Sequence, residues 1–295
     1  SDLVGMICVL GATGRLGAIL RRHWVSAPYH PVLWQARSGS VPDAAAGWLA
    51  WNMLSEPWPS GVALPDGVVL NFAGVTGGDA NALAANVDLG LAGCEAARIS
   101  GARHVFLCSS SAVYGRGSAK QHSLGENDVP QPANPYGEAK LRMEEAALEW
   151  ASHPDRPGLT LLRIGNVLGA DALIGGVRQG RIVTLDPVPG QPEGPLRSYI
   201  GPRSLAHVLW RLAELAQAGA ALPPVLNVAA PLPVGMAELL EAGGISWQWG
   251  PDNPAVLARL VLNTTLLEAL CPGLAGPGSA RALMQELRLE EGPAR

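Results

Sequence analysis

Charged residues are scarce in this chain of 295 residues, since they make up 16% of the sequence and leave a formal net charge of only −4 at pH 7. The sequence has no run rich in Lys and Arg, so it lacks the basic footprint expected for binding nucleic acid or an anionic membrane. No apolar stretch reaches the roughly 18 residues of a membrane-spanning helix, and the first residues show no signal-peptide pattern. We expect a cytoplasmic protein whose partner is a small molecule, with homodimer formation left open.

Cysteine and histidine are also sparse. The four cysteines and six histidines are scattered along the chain, without a C-x-x-C pair or an H-x-x-x-H pair. Metal sites in proteins require such ligands in clusters. We therefore expect no metal, and we expect the cysteines to be free thiols of a reducing compartment.

Apolar residues are abundant instead, at 48% of the sequence, and they fall into alternating short and long runs. Strand-like runs at 6–10, 32–35, 68–72, 104–108 and 159–164 alternate with helical stretches from 15, at 81–100 and at 136–150. This alternation predicts an α/β fold with a doubly wound parallel sheet of the Rossmann type. We expect a dinucleotide-binding domain over 1–165, rejoined by about 198–230 through a helix at 204–216 and a strand at 225–228. Gly and Pro are dense after Asn166, which predicts a smaller C-terminal substrate lobe over about 166–197 and 231–295.

A glycine-rich turn follows the first predicted strand, where residues 6–17 read MICVLGATGRLG. Gly11 permits a tight turn, Gly14 lets backbone approach a pyrophosphate, and Gly17 lets the following helix pack closely on the strand. The positive end of that helix would face the phosphates. The position of the turn after the first strand favours dinucleotide binding over a purely structural turn.

The end of the second predicted strand bears on the choice of dinucleotide, because an Asp or Glu there commonly binds the adenosine ribose. This strand instead ends in Gln35, Ala36 and Arg37, without an acid. Arg37 is either a solvated surface arginine or a ligand of the 2′-phosphate of NADP. The pattern leans slightly towards NADP over NAD.

A serine run and a Tyr/Lys pair supply the predicted chemistry. Residues 108–115 read CSSSAVYG at the end of a predicted strand, and PYGEAK at 135–140 opens a helix. The spacing of Tyr136 and Lys140 places both on one helical face, where the ammonium would favour the phenolate. The hydroxyl of Ser110 would hold a substrate oxygen while Tyr136 transfers its proton and hydride passes to or from a nicotinamide.

Five segments, GATGRLG, NFAG, SSSAVYG, YGEAK and LRIGNVLG, resemble the NAD-dependent epimerase/dehydratase family, the extended branch of the short-chain dehydrogenases. The resemblance implies that Ser110, Tyr136 and Lys140 are catalytic and that Ser111 is a reserve substrate contact. It further implies that Asn166 touches the substrate and that Arg197, in PLRSYI, binds the diphosphate of a nucleotide sugar. The implied cofactor contacts are Gly11, Gly14, Arg15, Leu16, Gly17, Arg37, Asn52, Met53, Ala73, Gly74 and Lys140.

The sequence departs from the family pattern at several positions. Asn52 stands where an adenine-contacting Asp is common, and Gly201–Ser204 stands where the family often has an acidic pair. Ser111 and Ala112 replace the Asp-Glu pair with which dehydratases of the family eliminate water, so an epimerase or a reductase is favoured. An NADP-dependent reductase of a non-sugar ketone or aldehyde, and a dinucleotide-sensing protein without turnover, are the alternatives.

Overall fold

The computed structural model of the chain describes residues 5–25, 31–42, 47–116, 123–178, 180 and 182–291. The six strands predicted from the apolar runs are present, with boundaries shifted by at most two residues, and further short strands accompany them. The described strands are β1 Ile7–Leu10, β2 Val32–Ala36, β3 Trp48–Ala50, β4 Val68–Asn71, β5 His104–Ser110, β6 Gly158–Ile164, β7 Asn166–Val167, β8 Val183–Leu185, β9 Leu196–Ile200, β10 Val225–Val228, β11 Pro233–Gly235, β12 Trp247–Trp249 and β13 Arg259–Leu260.

Eight helices are described, and within these residues none combines the length and the hydropathy needed to cross a bilayer. They are α1 Arg15–Trp24, α2 Ala80–Ser100, α3 Pro135–Ala151, α4 Ala172–Arg178, α5 Pro202–Gln217, α6 Met236–Ala242, α7 Thr265–Leu270 and α8 Ala280–Glu291.

The main sheet has seven strands in the order β10-β6-β5-β4-β1-β2-β3. The pairings of β1 with β2 and β4, of β2 with β3 and of β4 with β5 are parallel. All residues of β1 and β4 are buried, as expected for parallel strands covered on both faces. The doubly wound fold is thus confirmed, and β10 joins the sheet as predicted, whereas β3 was not anticipated.

The strand order reverses at β1, which lies between β4 and β2. Open parallel sheets bind their ligands outside the carboxyl ends of the strands at such a switch point. The carboxyl end of β1 is Leu10, and the glycine-rich turn follows it directly. The topology therefore places that turn where a doubly wound sheet binds its cofactor.

Two helices with well-defined ends pack against each other beside the sheet. α2 begins after Asp79, whose side chain accepts a hydrogen bond from the Ala82 amide, and ends at Gly101 in the left-handed conformation. α3 begins after Asn134, which caps the Gly137 amide, with Pro135 in its first turn. The fixed start of α3 sets the orientation of Tyr136 and Lys140, which follow it.

The chain divides into two compact units. The first comprises Ser1–Ser110, Asn134–Arg163 and Leu209–Leu226, and it contains most of the main sheet together with α1, α2 and α3. The second comprises Ser111–Ala133, Ile164–Val208 and Asn227–Arg295.

Two small sheets build much of the second unit. A four-stranded sheet has the order β11-β9-β13 with β7 also pairing β9, and β12 pairs β8 separately. The core of this unit includes Leu168, Leu185, Tyr199 and Leu239, all buried. This unit therefore has its own hydrophobic core.

Candidate active site

The glycine-rich turn has the shape that its sequence predicts. Gly11 has φ +72°, and a Cβ atom there would lie 2.5 Å from the Ala73 amide nitrogen. A Cβ atom on Gly17 would lie 2.5 Å from the carbonyl oxygen of Ala12. Both positions therefore require glycine for reasons of packing.

Gly14 differs from these two glycines because the surrounding protein barely restricts it. Its φ is −71°, and the one atom within 4 Å of an added Cβ is the Gly11 oxygen at 3.4 Å. Gly14 is the N-cap of α1, and its residue type provides no side-chain cap for the first helical amides, which belong to Arg15, Leu16 and Gly17. Open space at the amino end of α1 fits the pyrophosphate of a dinucleotide, so this turn could hold the cofactor.

Gln35 fixes this turn from the second strand, a role that sequence reasoning missed. Its side chain is 2% exposed, and its Oε1 accepts a hydrogen bond of 2.7 Å from the Gly11 amide. Its Nε2 donates to the Trp51 carbonyl oxygen at 2.7 Å. Because both the oxygen and the nitrogen of its side-chain amide are engaged, Gln35 is not available to bind the adenosine ribose as an acid at this position would be.

The residues after β2 and β3 form the edge where the adenosine would lie. Asn52 accepts a hydrogen bond from the Ser38 amide at 3.0 Å and donates to the Glu56 carboxylate at 2.6 Å. Arg37 is exposed, and Met53 is 9% exposed within the hydrophobic core. Asn52 therefore shapes the loop, and Arg37 is the cation available to a ligand there.

Ala73 and Gly74 follow β4, and Gly74 lies beside Lys140. The Asn71 side chain accepts a hydrogen bond of 3.0 Å from the Ala73 amide. A Cβ atom on Gly74 would lie 3.0 Å from Lys140 Nζ and 3.1 Å from Asn86 Oδ1. This segment must stay small to let the lysine reach the sheet edge.

Ser110, Tyr136 and Lys140 come together in the first unit, as the sequence predicts. Ser110 ends β5, and its hydroxyl lies close enough to the phenol of Tyr136, in the first turn of α3, to act to lower the pKa of that phenol. Lys140 Nζ lies 5.9 Å from the Tyr136 ring centroid and donates to the Cys108 carbonyl oxygen at 2.9 Å. A hydroxyl, a phenol and an ammonium therefore converge at the carboxyl end of a central strand.

The electrostatics of this group correct one expectation. The spacing predicts that Lys140 lowers the pKa of Tyr136, but the pKa of the phenol is raised, because burial outweighs the hydrogen bond from Ser110. Burial likewise lowers the pKa of Lys140, although Glu144 opposes this shift. In the ligand-free protein Tyr136 therefore holds its proton at neutral pH.

A buried ion pair lies next to this group of candidate residues, and it was not predicted from the sequence. Glu144, one helical turn after Lys140, is 1% exposed and accepts two hydrogen bonds from Arg163, at 2.7 Å and 3.0 Å. Ser109 donates to the same carboxylate at 2.5 Å. Charge-assisted bonds thus tie α3 to β5 and β6 directly below the site.

The candidate substrate residues belong to the second unit. Ser111 is buried at 7% exposure in a short 3-10 helix, and Asn166 pairs with Tyr199 between β7 and β9. Arg197 donates to its neighbour's carbonyl oxygen, that of Leu196, at 2.8 Å. Among the described residues no carboxylate pairs with Arg197, so the alternative in which it pairs with Glu193 is not observed.

Metal-binding side chains do not gather anywhere in the described part of the chain. No group of three or more His, Cys, Asp or Glu residues is placed there to hold an ion. Of the free cysteines, Cys8, Cys94 and Cys271 are buried, and Cys108 is partly buried. Burial raises the pKa of Cys8 and of Cys94 to about 12, so these two remain protonated thiols.

The parallel sheet, with the glycine-rich turn at its switch point, defines a Rossmann-type fold. The chain belongs to the NAD dependent epimerase/dehydratase family, whose sequence profile matches residues 7–184. No curated protein matches the sequence.

Several solved structures share the fold over nearly the whole chain at low sequence identity. MoeE5 in complex with UDP-glucose and NAD is 20% identical, with a TM-score of 0.75 over 98% of this chain and 100% of that one. The UDP-glucose 4-epimerase of Thermus thermophilus in complex with NAD is 21% identical, with a TM-score of 0.70 over 96% and 99%. The UDP-N-acetylglucosamine 4-epimerase of Methanobrevibacter ruminantium is 15% identical, with a TM-score of 0.74 over 98% and 99%.

Proposed function

We propose that this protein is an NAD(P)-dependent epimerase or reductase that acts on a hydroxyl or ketone of a nucleotide sugar. The observation that carries the proposal is the grouping of the Ser110 hydroxyl, the Tyr136 phenol and the Lys140 ammonium, with Lys140 beside Gly74. Family membership and solved neighbours that contain UDP-glucose with NAD support the same activity. The first unit would bind the cofactor and the second the substrate.

The residues of the chain divide the proton chemistry between them. Ser110 orients the substrate oxygen, and Tyr136 gives its proton to a ketone or takes one from a hydroxyl. The raised pKa of Tyr136 suits donation in the free protein, whereas proton uptake requires Lys140 as a nearby cation. The nicotinamide, when bound, supplies or accepts the hydride.

Elimination of water is a weaker candidate than epimerisation or reduction. A dehydration needs an acid and a base beside the reacting carbon. Ser110 is followed by Ser111 and Ala112, neither of which is a carboxylic acid. One structural neighbour is an NAD-dependent NDP-hexosamine 5,6-dehydratase, but at 18% identity this likeness concerns the fold alone.

Arg197 and Asn166 are the proposed contacts to the nucleotide end of the substrate. Arg197 is largely desolvated, and burial lowers its pKa while its charge persists. A guanidinium without a carboxylate partner among the described residues can bind a diphosphate through two parallel hydrogen bonds. In an acidic protein such a local cation is needed to attract a doubly charged group.

The cofactor preference rests on the end of β2. The neighbours MoeE5 and the Thermus thermophilus epimerase contain NAD. In this chain Gln35 and Ala36 leave no negative charge to repel a 2′-phosphate, and Arg37 is exposed beside them. We therefore propose that both dinucleotides bind, with a modest preference for NADP.

The decisive experiment replaces the phenol. Tyr136→Phe should lower turnover of the active nucleotide sugar by about 100-fold or more, because the ring stays while the transferable proton is lost. Dinucleotide affinity, measured by titration, should be unchanged, and an unchanged melting temperature serves as the control. Retention of more than about a tenth of the wild-type rate would remove Tyr136 from this role.

Lys140→Met tests the second catalytic residue. It should raise the dinucleotide dissociation constant and lower turnover, because Lys140 is proposed to contact the ribose as well as to assist the phenol. Arg142→Met is a matched control, since Arg142 is an exposed residue of the same helix.

A panel of UDP, dTDP, GDP and ADP sugars identifies the substrate. Failure of all four nucleotides to bind would favour a non-sugar reductase.

A further inference from the structure

The second unit contains a cleft of about 630 Å³ that has no part in the proposed reaction. Its lining combines one arginine with small polar and apolar side chains. The lining residues are Ser123, Pro231, Pro233, Arg259, Val261, Leu262, Asn263, Thr264, Thr265, Glu268 and Ala269. We propose that this cleft binds a small oxyanion, a phosphate monoester or a carboxylate, through Arg259.

Arg259 carries the proposal because none of the described residues forms an ion pair with it. Its Nε is buried and has no hydrogen-bond partner, and no ion pair or side-chain hydrogen bond joins it to another described residue. A guanidinium stays charged in proteins, so Arg259 cannot escape this situation by becoming neutral. A partly buried cation with an unmade hydrogen bond is unfavourable unless an acceptor from outside the protein satisfies it.

The strand register separates this cleft from the proposed diphosphate contact. β13 pairs with β9 so that Arg259 lies opposite Leu196 and Leu260 lies opposite Arg197. Because side chains alternate along a strand, Arg259 and Arg197 project from opposite faces of this sheet. A ligand bound by Arg259 therefore occupies a different site from one bound by Arg197.

The remaining polar groups of the cleft suit a hydroxylated anion. Ser123 and Thr265 contribute hydroxyl groups, and Pro231, Pro233 and Val261 provide apolar walls.

Two of the lining side chains are already engaged. The Asn263 side chain accepts a hydrogen bond from the Thr265 amide at 3.0 Å. Glu268 is exposed and accepts a hydrogen bond from the Gly273 amide at 2.8 Å. Its charge is screened by water, so it weakens anion binding less than a buried carboxylate would.

The test measures binding rather than catalysis, so its outcome is independent of the proposed reaction. Inorganic phosphate and succinate are titrated by calorimetry into the Arg197→Gln variant saturated with dinucleotide. The substitution removes the proposed diphosphate contact, and the bound dinucleotide occupies the cofactor site, so neither competes for the probes. We expect a signal at constant ionic strength, and Arg259→Gln in the same background should raise the dissociation constant at least about tenfold. Arg211→Gln, which removes an exposed arginine of α5, should change nothing.

The two probes separate the two sources of the anion. Binding of phosphate alone assigns the cleft to phosphate esters, and binding of succinate alone assigns it to carboxylates. Binding that survives Arg259→Gln, or no binding of either probe, overturns the proposal. Melting temperature without ligand gives a second readout: Arg259→Gln should leave it equal or higher, and a clear decrease would show that the arginine is already satisfied within the protein.

Discussion

The two units bury arginine side chains in opposite ways. In the first unit Arg163 is 5% exposed, and its guanidinium makes a bidentate pair with Glu144, whose carboxylate also accepts a hydrogen bond from Ser109. In the second unit Arg197 and Arg259 have no carboxylate partner among the described residues. A paired buried charge stabilises the arrangement of its own neighbours, whereas an unpaired one is suited to a ligand. The comparison therefore separates a structural arginine from two candidate binding residues.

The largest expected effect comes from breaking the pair in the first unit. Glu144→Gln leaves Arg163 as an uncompensated buried charge, which should lower the free energy of unfolding by about 3–5 kcal/mol. Denaturant unfolding measures this change.

A nearby glutamate provides the control for this substitution. Glu149→Gln alters an 80% exposed side chain of the same helix and should change the free energy of unfolding by less than about 0.5 kcal/mol. Equal effects of the two substitutions would mean that the buried pair does not stabilise the site.

The difference between Arg163 and Arg259 also shows that the partners of a buried side chain are not predictable from the sequence alone. Tyr136 and Lys140 were predictable because helical spacing alone places them on one face. Glu144 lies one further turn along, but its partners Arg163 and Ser109 come from two other strands, and only the sheet order brings them together. Local patterns therefore predict the candidate catalytic residues but not the buried residues that contact them.

The same limit applies at the cofactor turn and in the second unit. The three glycines were predictable from their spacing after a buried strand, but Gln35 gave no local signal that its amide fills the turn. The short strands around Arg259 lack the long apolar periods on which sequence interpretation depends. Whether an arginine such as Arg259 has a carboxylate partner is therefore known only from the structure.

A second test concerns a group that the first unit buries in neutral form. His104 is 7% exposed, lies 2.8 Å from the Thr160 hydroxyl, and has its pKa lowered by burial from 6.5 to about 4. Because the folded state binds a proton at His104 less tightly than the unfolded state does, neutral His104 contributes its full stabilisation above pH 6.5. This stabilisation is lost as the pH falls from about 6.5 to 4, by up to about 3 kcal/mol.

Unfolding of wild type and His104→Gln across this pH range measures the contribution. The variant should lose less stability on acidification, since glutamine does not titrate. His153→Gln, at a histidine whose side chain is 55% exposed, should follow the wild type. Parallel pH profiles for wild type and His104→Gln would show that His104 does not resist protonation in the folded state.

In the second unit, removing an unpaired arginine should affect binding rather than stability. Arg197→Gln should weaken UDP or dTDP binding by about 10- to 100-fold, the equivalent of one or two charge-assisted hydrogen bonds. Its melting temperature should stay near that of the wild type, in contrast to Glu144→Gln. Calorimetry in the presence of dinucleotide measures the affinity, and Arg203→Gln tests whether this exposed neighbour assists. A large loss of stability with unchanged nucleotide affinity would place Arg197 with Arg163 as a structural residue.

The smallest expected effect concerns Arg37, an exposed arginine of the first unit that contrasts with the buried Arg163. We expect wild type to bind NADP a few-fold more tightly than NAD, and Arg37→Ala to abolish this preference by weakening NADP alone. A guanidinium at an exposed site contributes little because water and salt screen its charge, so the effect should shrink as ionic strength rises. Fluorescence titration of both dinucleotides at two salt concentrations measures this preference.

The control is Arg22→Ala, which removes a basic residue in the last turn of α1 and should leave both affinities unchanged. Tighter binding of NAD by the wild type would make Arg37 a solvated surface residue, and the missing acid after β2 would then be compensated by contacts other than Arg37.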